Sequence, residues 1–356
     1  GWASEFESVP YWPLRCDPYS IVDESARAGK PKFRLTNDHS WPPPSAVASD
    51  GTLIGPRGEH VSSLNDAMDR SDWPEGKLLR VRQVAEVAAI MKASGAPVKI
   101  GVVDAVAYYK QLGRQLSELH RNGAITLDGF MIDERCCFGS AADATKCSRV
   151  SNFIVHRARA ACAAIDAKYP TRDTRILAWQ ADRRQRAVLA GVDAGDVEGW
   201  ACLHSVGMYI DDGASTSFDD PLFETDGRAV MRDGVHLTRA VAHYVAMKSA
   251  FESLGFETTK EQLPDLCVVL LGVEIDLRDE RVRLSMRKRE SYAAQARAVA
   301  ALSVCDRTEF LELLGKLTFA SEYFPRGRQW LHAPWRAARV RFRTAAGGVV
   351  LSSAVS

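Results

Sequence analysis

Three aspartates stand where hydrophobic runs end, and residues of that type in that position could do chemistry. Val98-Lys99-Ile100-Gly101-Val102-Val103 reads as a buried strand delivering Asp104 at its C-terminal end. Ser205-Val206-Gly207-Met208-Tyr209-Ile210 reads as a second strand, with Asp211-Asp212-Gly213 forming a tight turn directly after it. A pair of aspartates in a turn is ordinarily a solvated turn. Carboxylates delivered by apolar strands are different, because clustered negative charge must be neutralised. Two divalent cations bridged by such carboxylates would do so. They would also activate a hydroxyl nucleophile and stabilise the group that leaves in an in-line phosphoryl displacement.

The elements that must position these residues can be read from periodicity. Leu78, Val81, Val84, Val87, Ala88 and Met91 recur at helical spacing over 77–93, and Ser94-Gly95-Ala96-Pro97 stops that helix. A second helix is expected over about 144–168, with Val150, Phe153, Ile154, Ala161 and Ile165 on its apolar side. Residues 170–200 mix strand and loop signals around Arg183, Arg184 and Arg186, which read as a solvated face. A helix over roughly 235–254 precedes a strand over 266–275, and basic helices are expected over 286–302 and 307–324. The first 75 or so residues are rich in Pro, Ser, Asp and Gly, with Trp41-Pro42-Pro43-Pro44 marking irregular chain. Within them, Lys30-Pro31-Lys32-Phe33-Arg34-Leu35 is a short strand candidate carrying three cations.

Composition bounds the class. A chain of 356 residues exceeds one usual core, so two or three subdomains are expected. Hydrophobic residues at 46% and charged residues at 26% exclude a wholly disordered or collagen-like chain. The net charge of +1 argues against a uniformly basic nucleic-acid binder and leaves local patches open. None of the eight cysteines forms a CxxC pair, which fits buried reduced thiols in an intracellular protein, in cytoplasm or nucleus alike. No signal peptide or membrane-spanning run is present. The sequence begins Gly-Trp rather than Met, which predicts a fragment or processed product.

Tyr209-Ile210-Asp211-Asp212 resembles the YxDD box of reverse transcriptases, and Val103-Asp104-Ala105-Val106-Ala107-Tyr108-Tyr109-Lys110-Gln111 resembles the first metal-binding motif of that family. Asp128-Gly129-Phe130 and Cys136-Cys137-Phe138-Gly139-Ser140-Ala141 are similar to the G…PFG stretch that lies between them. Leu254-Gly255-Phe256 with Lys260, and then Leu270-Leu271-Gly272-Val273-Glu274-Ile275, resemble the LG…K stretch and the primer-grip strand. Glu312-Leu313-Leu314-Gly315-Lys316-Leu317 and Pro325-Arg326-Gly327-Arg328 look like a retroelement polymerase thumb. Each motif alone is weak, but six in the family's order over about residues 27–332 are strong. The nearest type is the LTR or tyrosine-recombinase retrotransposon enzyme.

The resemblance implies an α+β, right-hand polymerase fold with fingers, antiparallel-sheet palm and helical thumb. Fingers would occupy 1–98, and palm 99–285 with a fingers insertion at about 112–130 and an extra segment at about 170–200. The thumb would follow over 286–335 and a tail over 336–356, leading toward an RNase H domain outside this chain. It implies an RNA-directed DNA polymerase acting on an RNA or DNA template with primer and on dNTPs. Two Mg²⁺ ions, with Mn²⁺ as an alternative, would be held by Asp104, Asp211, Asp212 and the Ala105 carbonyl. Lys260 would protonate the leaving pyrophosphate. Lys30, Lys32, Arg34, Tyr109, Phe138 and Gly139 would bind the dNTP, with Arg34 on the triphosphate and Tyr109 as a steric gate against a ribose 2′-hydroxyl. Tyr209, Leu271, Gly272, Arg326 and Arg328 would hold primer and template, joined by stacking on Trp330. Tyr108 reads as packing. The departures are Tyr108 in a small-residue position, Cys137 for Pro, Asp143-Ala144 for Ala-Pro, and extra length between Gly139 and Tyr209. Two rivals stay open: a catalytically silent polymerase-like protein that binds nucleic acid, and another two-metal enzyme such as a nuclease.

Overall fold

The computed structural model describes residues 78–121, 123–126, 129–136, 140–302, 304–324 and 326–339, with strand segments 3–7, 19–23, 33–37, 46–47, 53–54 and 349–350. Strands β1 (Ala3–Phe6), β2 (Tyr19–Asp23), β3 (Phe33–Asn37), β4 (Ala46–Val47) and β5 (Leu53–Ile54) lead to helix α1 (Val81–Lys92) and strand β6 (Val98–Ala105). After α2 (Tyr108–Gln111), β7 (Gly123–Thr126) and β8 (Gly129–Asp133) come the helices α3 (Ala141–Lys168), α4 (Thr174–Leu189) and α5 (Val197–Trp200). The hairpin β9 (His204–Tyr209) and β10 (Asp212–Phe218) is followed by β11 (Met231–Arg232), β12 (Val235–His236) and α6 (Arg239–Glu252). Strands β13 (Thr258–Asp265), β14 (Cys267–Leu270), β15 (Val273–Asp276) and β16 (Arg281–Leu284) precede α7 (Met286–Ala300) and β17 (Val304–Cys305). The chain ends in α8 (Arg307–Ser321), α9 (Gly327–Trp330), α10 (His332–Arg339) and β18 (Val349–Val350).

The site depends on one antiparallel sheet, ordered β13-β6-β10-β9. Side chains alternate across it, so each strand feeds two cores. Ile100 and Val102 of β6 and Ala214 and Phe218 of β10 join α1 and the β14–β16 sheet on one face. Val103 and Ala105, with Val206 and Met208 of β9, meet α3 and α6 on the other. Covered on both faces, β6 reads as a near-continuous apolar run. Glycines let α6 come close: a Cβ at Gly101 would lie 2.6 Å from the Tyr244 ring. A third core, around Phe310, Leu313, Leu314 and Val299, joins α7, α8 and α10.

Four expectations need correction. Residues 170–200 are helical: Asp173 caps α4 by accepting from the Arg175 N–H, and Ile176 and Ala187 are its buried residues. Leu177, Val188 and Leu189 of this helix are exposed, so its apolar residues do not mark one buried face. In α3 the buried stripe is Cys147, Ser151, Ile154, Ala158 and Cys162, while Phe153 is 50% exposed beneath the Arg157 guanidinium. Small residues form that stripe because α3 lies against α6 and β9. The strand expected over 266–275 is a hairpin, broken at Leu271 and Gly272, whose φ values of 52° and 71° suit a tight turn that matches strand twist. The expected break after residue 335 falls within α10, where Ala337 is buried. Among the described residues, no helix is long and apolar enough to cross a membrane.

Candidate active site

Register places the first two aspartates. In the β6–β10 ladder Asp212 stands directly opposite Asp104, and both share the sheet face of Val102 and Ala214. The hairpin turn is Ile210-Asp211, one residue earlier than the sequence suggested, since Tyr209 pairs with Asp212 and Asp212 opens β10. Ile210 adopts φ 54°, a costly conformation for a β-branched residue that surrounding structure must hold. Two bonds do so. The buried Ser151 hydroxyl donates to the Ile210 carbonyl at 2.6 Å, and the Ala105 N–H donates to the Asp211 carbonyl at 3.1 Å.

Burial and like charge act together on the acidic cluster. Burial pushes the Asp212 carboxyl up to about 7, and the neighbouring charges of Asp211 and Asp104 add to the rise. Lys260 and Lys288 oppose it. Lys260 lies in an irregular stretch of β13, where register shifts between Thr259 and Gln262, and its φ is 48°. That geometry turns Nζ to within 2.5 Å of Asp104 Oδ2 while leaving the side chain 77% exposed. Sequence reasoning missed Lys288, which no motif distinguishes from Arg287 or Arg289. It reaches over the β14–β15 turn, donating to the Leu271 carbonyl at 2.7 Å with Nζ 4.5 Å from the Phe319 ring centroid. Gly272 makes room, because a Cβ there would lie 2.3 Å from Lys288 Cε.

No protein-family model and no curated protein matches the chain. Three solved structures of foamy viral protease-reverse transcriptase are similar to it. One, a dRH form with double-stranded DNA, is 12% identical with a TM-score of 0.47, over 99% of this chain and 43% of that one. A second, with RNA/DNA hybrid, is 11% identical with a TM-score of 0.49, over 99% and 33%. The third, with double-stranded DNA, is 11% identical with a TM-score of 0.46, over 99% and 51%. The chain therefore spans about a third to a half of the length of those chains.

The remaining expected site residues divide three ways. Tyr109 is only 8% exposed, and burial pushes its phenol far above the ordinary range, so it acts as a neutral ring. Tyr108 is packing: it stacks on Phe256 and its hydroxyl lies 3.1 Å from Ser151 Oγ. Tyr209 is 38% exposed at the hairpin. Arg326 takes φ 59° before α9, and Arg328 pairs with Glu322 at 3.5 Å. Arg34 belongs to β3 opposite Val22, while Lys30, Lys32, Phe138 and Gly139 lie outside the described residues. Gln111 serves as a clamp: its side chain donates to the Val106 and Glu257 carbonyls and accepts the Glu257 N–H.

Whether metal would fit is a question of spacing. Among the described residues, the acidic, His and Cys groups whose ligand atoms all lie within 4.8 Å are Asp166-His204-His243 and Cys267-Glu274-Asp276. Asp104, Asp211 and Asp212 are not such a group, and Lys260 is drawn onto Asp104. Their chemistry fits hard divalent cations: carboxylate oxygen donors, one of them pushed up to about 7 by burial and like charge.

Proposed function

We propose that this chain is a template-directed nucleotidyltransferase of the reverse-transcriptase type, carrying dNTPs to a primer 3′-hydroxyl. The observation that carries the reading is the register of Asp104 opposite Asp212, with Asp211 at the adjoining turn. On this reading β6, β9, β10 and β13 with α3 and α6 form the palm, the N-terminal strands with β7 and β8 the fingers, and α7 to α10 the thumb. Asp104, Asp211 and Asp212, with the Ala105 carbonyl, would hold two Mg²⁺ ions, which when bound activate the 3′-hydroxyl and offset charge on the departing pyrophosphate.

The chain's own groups then have separate tasks. Lys260 pairs with Asp104, and its exposed ammonium would be the group placed to give a proton to pyrophosphate. Tyr109 is a nearly buried ring, and a ring fixed by packing suits shape selection against a 2′-hydroxyl. Ser151 and the Ala105 N–H keep the turn from shifting the Asp211 carboxylate. Lys30, Lys32, Arg34, Phe138 and Gly139 would complete the dNTP site, and Tyr209, Leu271, Gly272, Arg326 and Arg328 the template-primer track. The parent would be a retrotransposon enzyme.

The test is primer extension on poly(rA)/oligo(dT) with Mg²⁺, comparing the wild type with Asp211→Ala. Extension by the wild type and its loss in the variant are expected. A folded wild type that binds the duplex without extending it would sink the proposal in favour of a silent binding protein. That rival draws on a specific observation, the Lys260–Asp104 pair that already satisfies one metal ligand. Template degradation abolished by Asp211→Ala would instead indicate a nuclease.

A further inference from the structure

At the opposite end of β9 from Tyr209, three elements bring Asp166 of α3, His204 of β9 and His243 of α6 together. His204 Nδ1 lies 2.9 Å from Asp166 Oδ2, and His243 Nε2 lies 3.0 Å from Asp166 Oδ1. The His243 side chain is fully buried, and despite that short separation its Nε2 is misaligned for a hydrogen bond and has no other partner. Two ligands of one ion stand in this relation, with donor atoms about 3 Å apart whose lone pairs meet at the metal rather than at each other. A buried nitrogen left unpaired is otherwise a rare and costly defect.

The surroundings complete the case. Arg239 makes a two-pronged pair with Asp220, through Nε at 2.7 Å and Nη2 at 3.0 Å, so Asp220 already matches its charge. Its Nη1 donates to Asp166 Oδ1 at 2.5 Å, leaving Oδ2 on the His204 side. On the far side of the His243 ring, Nδ1 lies 2.8 Å from Ser217 Oγ, which also approaches the Leu203 and Phe218 carbonyls at 3.3 and 3.1 Å. A serine donating to either carbonyl accepts from His243 Nδ1–H, and that tautomer frees Nε2 as a lone pair. Ligating histidines are usually held in this way by their other nitrogen.

We propose that Asp166, His204 and His243 form a Zn²⁺ site, separate from the aspartate cluster, that staples α3, α6 and the root of the catalytic hairpin. Two imidazoles and one carboxylate are a Zn²⁺ donor set that leaves one position for water. The staple does not depend on polymerase activity, and its test does not read activity.

The host protein carries Asp104→Asn and Asp211→Asn, so the other carboxylates do not compete. After chelator treatment it is titrated with Zn²⁺ against a chromophoric chelator, and with Co²⁺ for its visible ligand-field bands. One Zn²⁺ per chain, a rise in Tm with Zn²⁺, and Co²⁺ bands of low-symmetry nitrogen and oxygen coordination are expected. His204→Gln and His243→Gln should abolish stoichiometric binding, and Ser217→Ala should weaken it about 10–100-fold. Should a variant fail to fold, the host's own stoichiometry and Co²⁺ bands still decide. No Zn²⁺ uptake by the host overturns the site and leaves a proton-sharing network. Binding that persists in folded His204→Gln but disappears in Cys267→Ser also overturns it, by moving the ion to Cys267, Glu274 and Asp276.

Discussion

The two ends of the central sheet treat the same side chain in opposite ways. At one end Asp212 stands beside Asp104 and Asp211, and burial with like charge pushes its carboxyl up to about 7. At the other, burial also penalises the Asp166 carboxylate, but the His204 hydrogen bond and the charge of Arg239 outweigh it and hold the group well below the usual range. Burial is common to both, so the difference lies in the neighbours: like-charged carboxylates at one end, a hydrogen-bond donor and the Arg239 guanidinium at the other.

Removing the counter-charge from the satisfied end should cost most. Arg239→Met leaves Asp166 and Asp220 facing each other in the interior without the fully buried guanidinium. Breaking a buried pair in this way should destabilise the fold by about 3–5 kcal/mol. Urea unfolding monitored by circular dichroism measures it, and a loss under about 1 kcal/mol would mean that the pairs contribute little.

The aspartate end should respond in the other direction. The Asp212 value rises from 3.8 to about 7 on folding, so between those pH values the folded chain is protonated and the unfolded chain ionised. The group therefore contributes stability that is full below pH 3.8, falls as pH rises, and is gone above about 7. Asp212→Asn should change little at pH 4 and stabilise the metal-free protein at pH 8 by about 2–4 kcal/mol. Mg²⁺ should raise the Tm of the wild type at pH 8 more than that of the variant. A variant no more stable than the wild type at pH 8 would show that water or a rearranged Lys260 already neutralises the cluster.

The two ends also differed in how far they could be read from sequence. Asp104, Asp211 and Asp212 follow strands whose apolar runs are plain, and the helices over α1, α6, α7 and α8 emerge from their periodicity within a few residues. The cluster of Asp166, His204 and His243 has no such signal, because a helix, a strand and another helix each contribute one residue and no spacing rule links them. The α3 stripe was misread for a related reason. Close packing against α6 selected Cys147, Ser151, Ala158 and Cys162, whereas hydropathy favoured Phe153. The turn was displaced by one residue because Ile210 takes a backbone conformation that its side chain disfavours, which only the neighbouring bonds explain.

Those bonds yield the smallest effect and the sharpest probe of the carboxylate end. Ser151→Ala removes the hydroxyl that donates to the Ile210 carbonyl and lies beside the Tyr108 hydroxyl. The loss in stability should be about 1 kcal/mol, the ordinary worth of one such bond with partial relaxation. If the bond only supports the fold, activity per folded molecule stays at the wild-type level. If it positions Asp211, the Mg²⁺ concentration needed for half-maximal primer extension should rise while duplex affinity is unchanged, because a turn free to relax no longer holds that carboxylate beside the Asp104–Asp212 pair. A matching rise in the duplex Kd would assign Ser151 to general stability instead, and the strain at Ile210 would then have no part in holding the site.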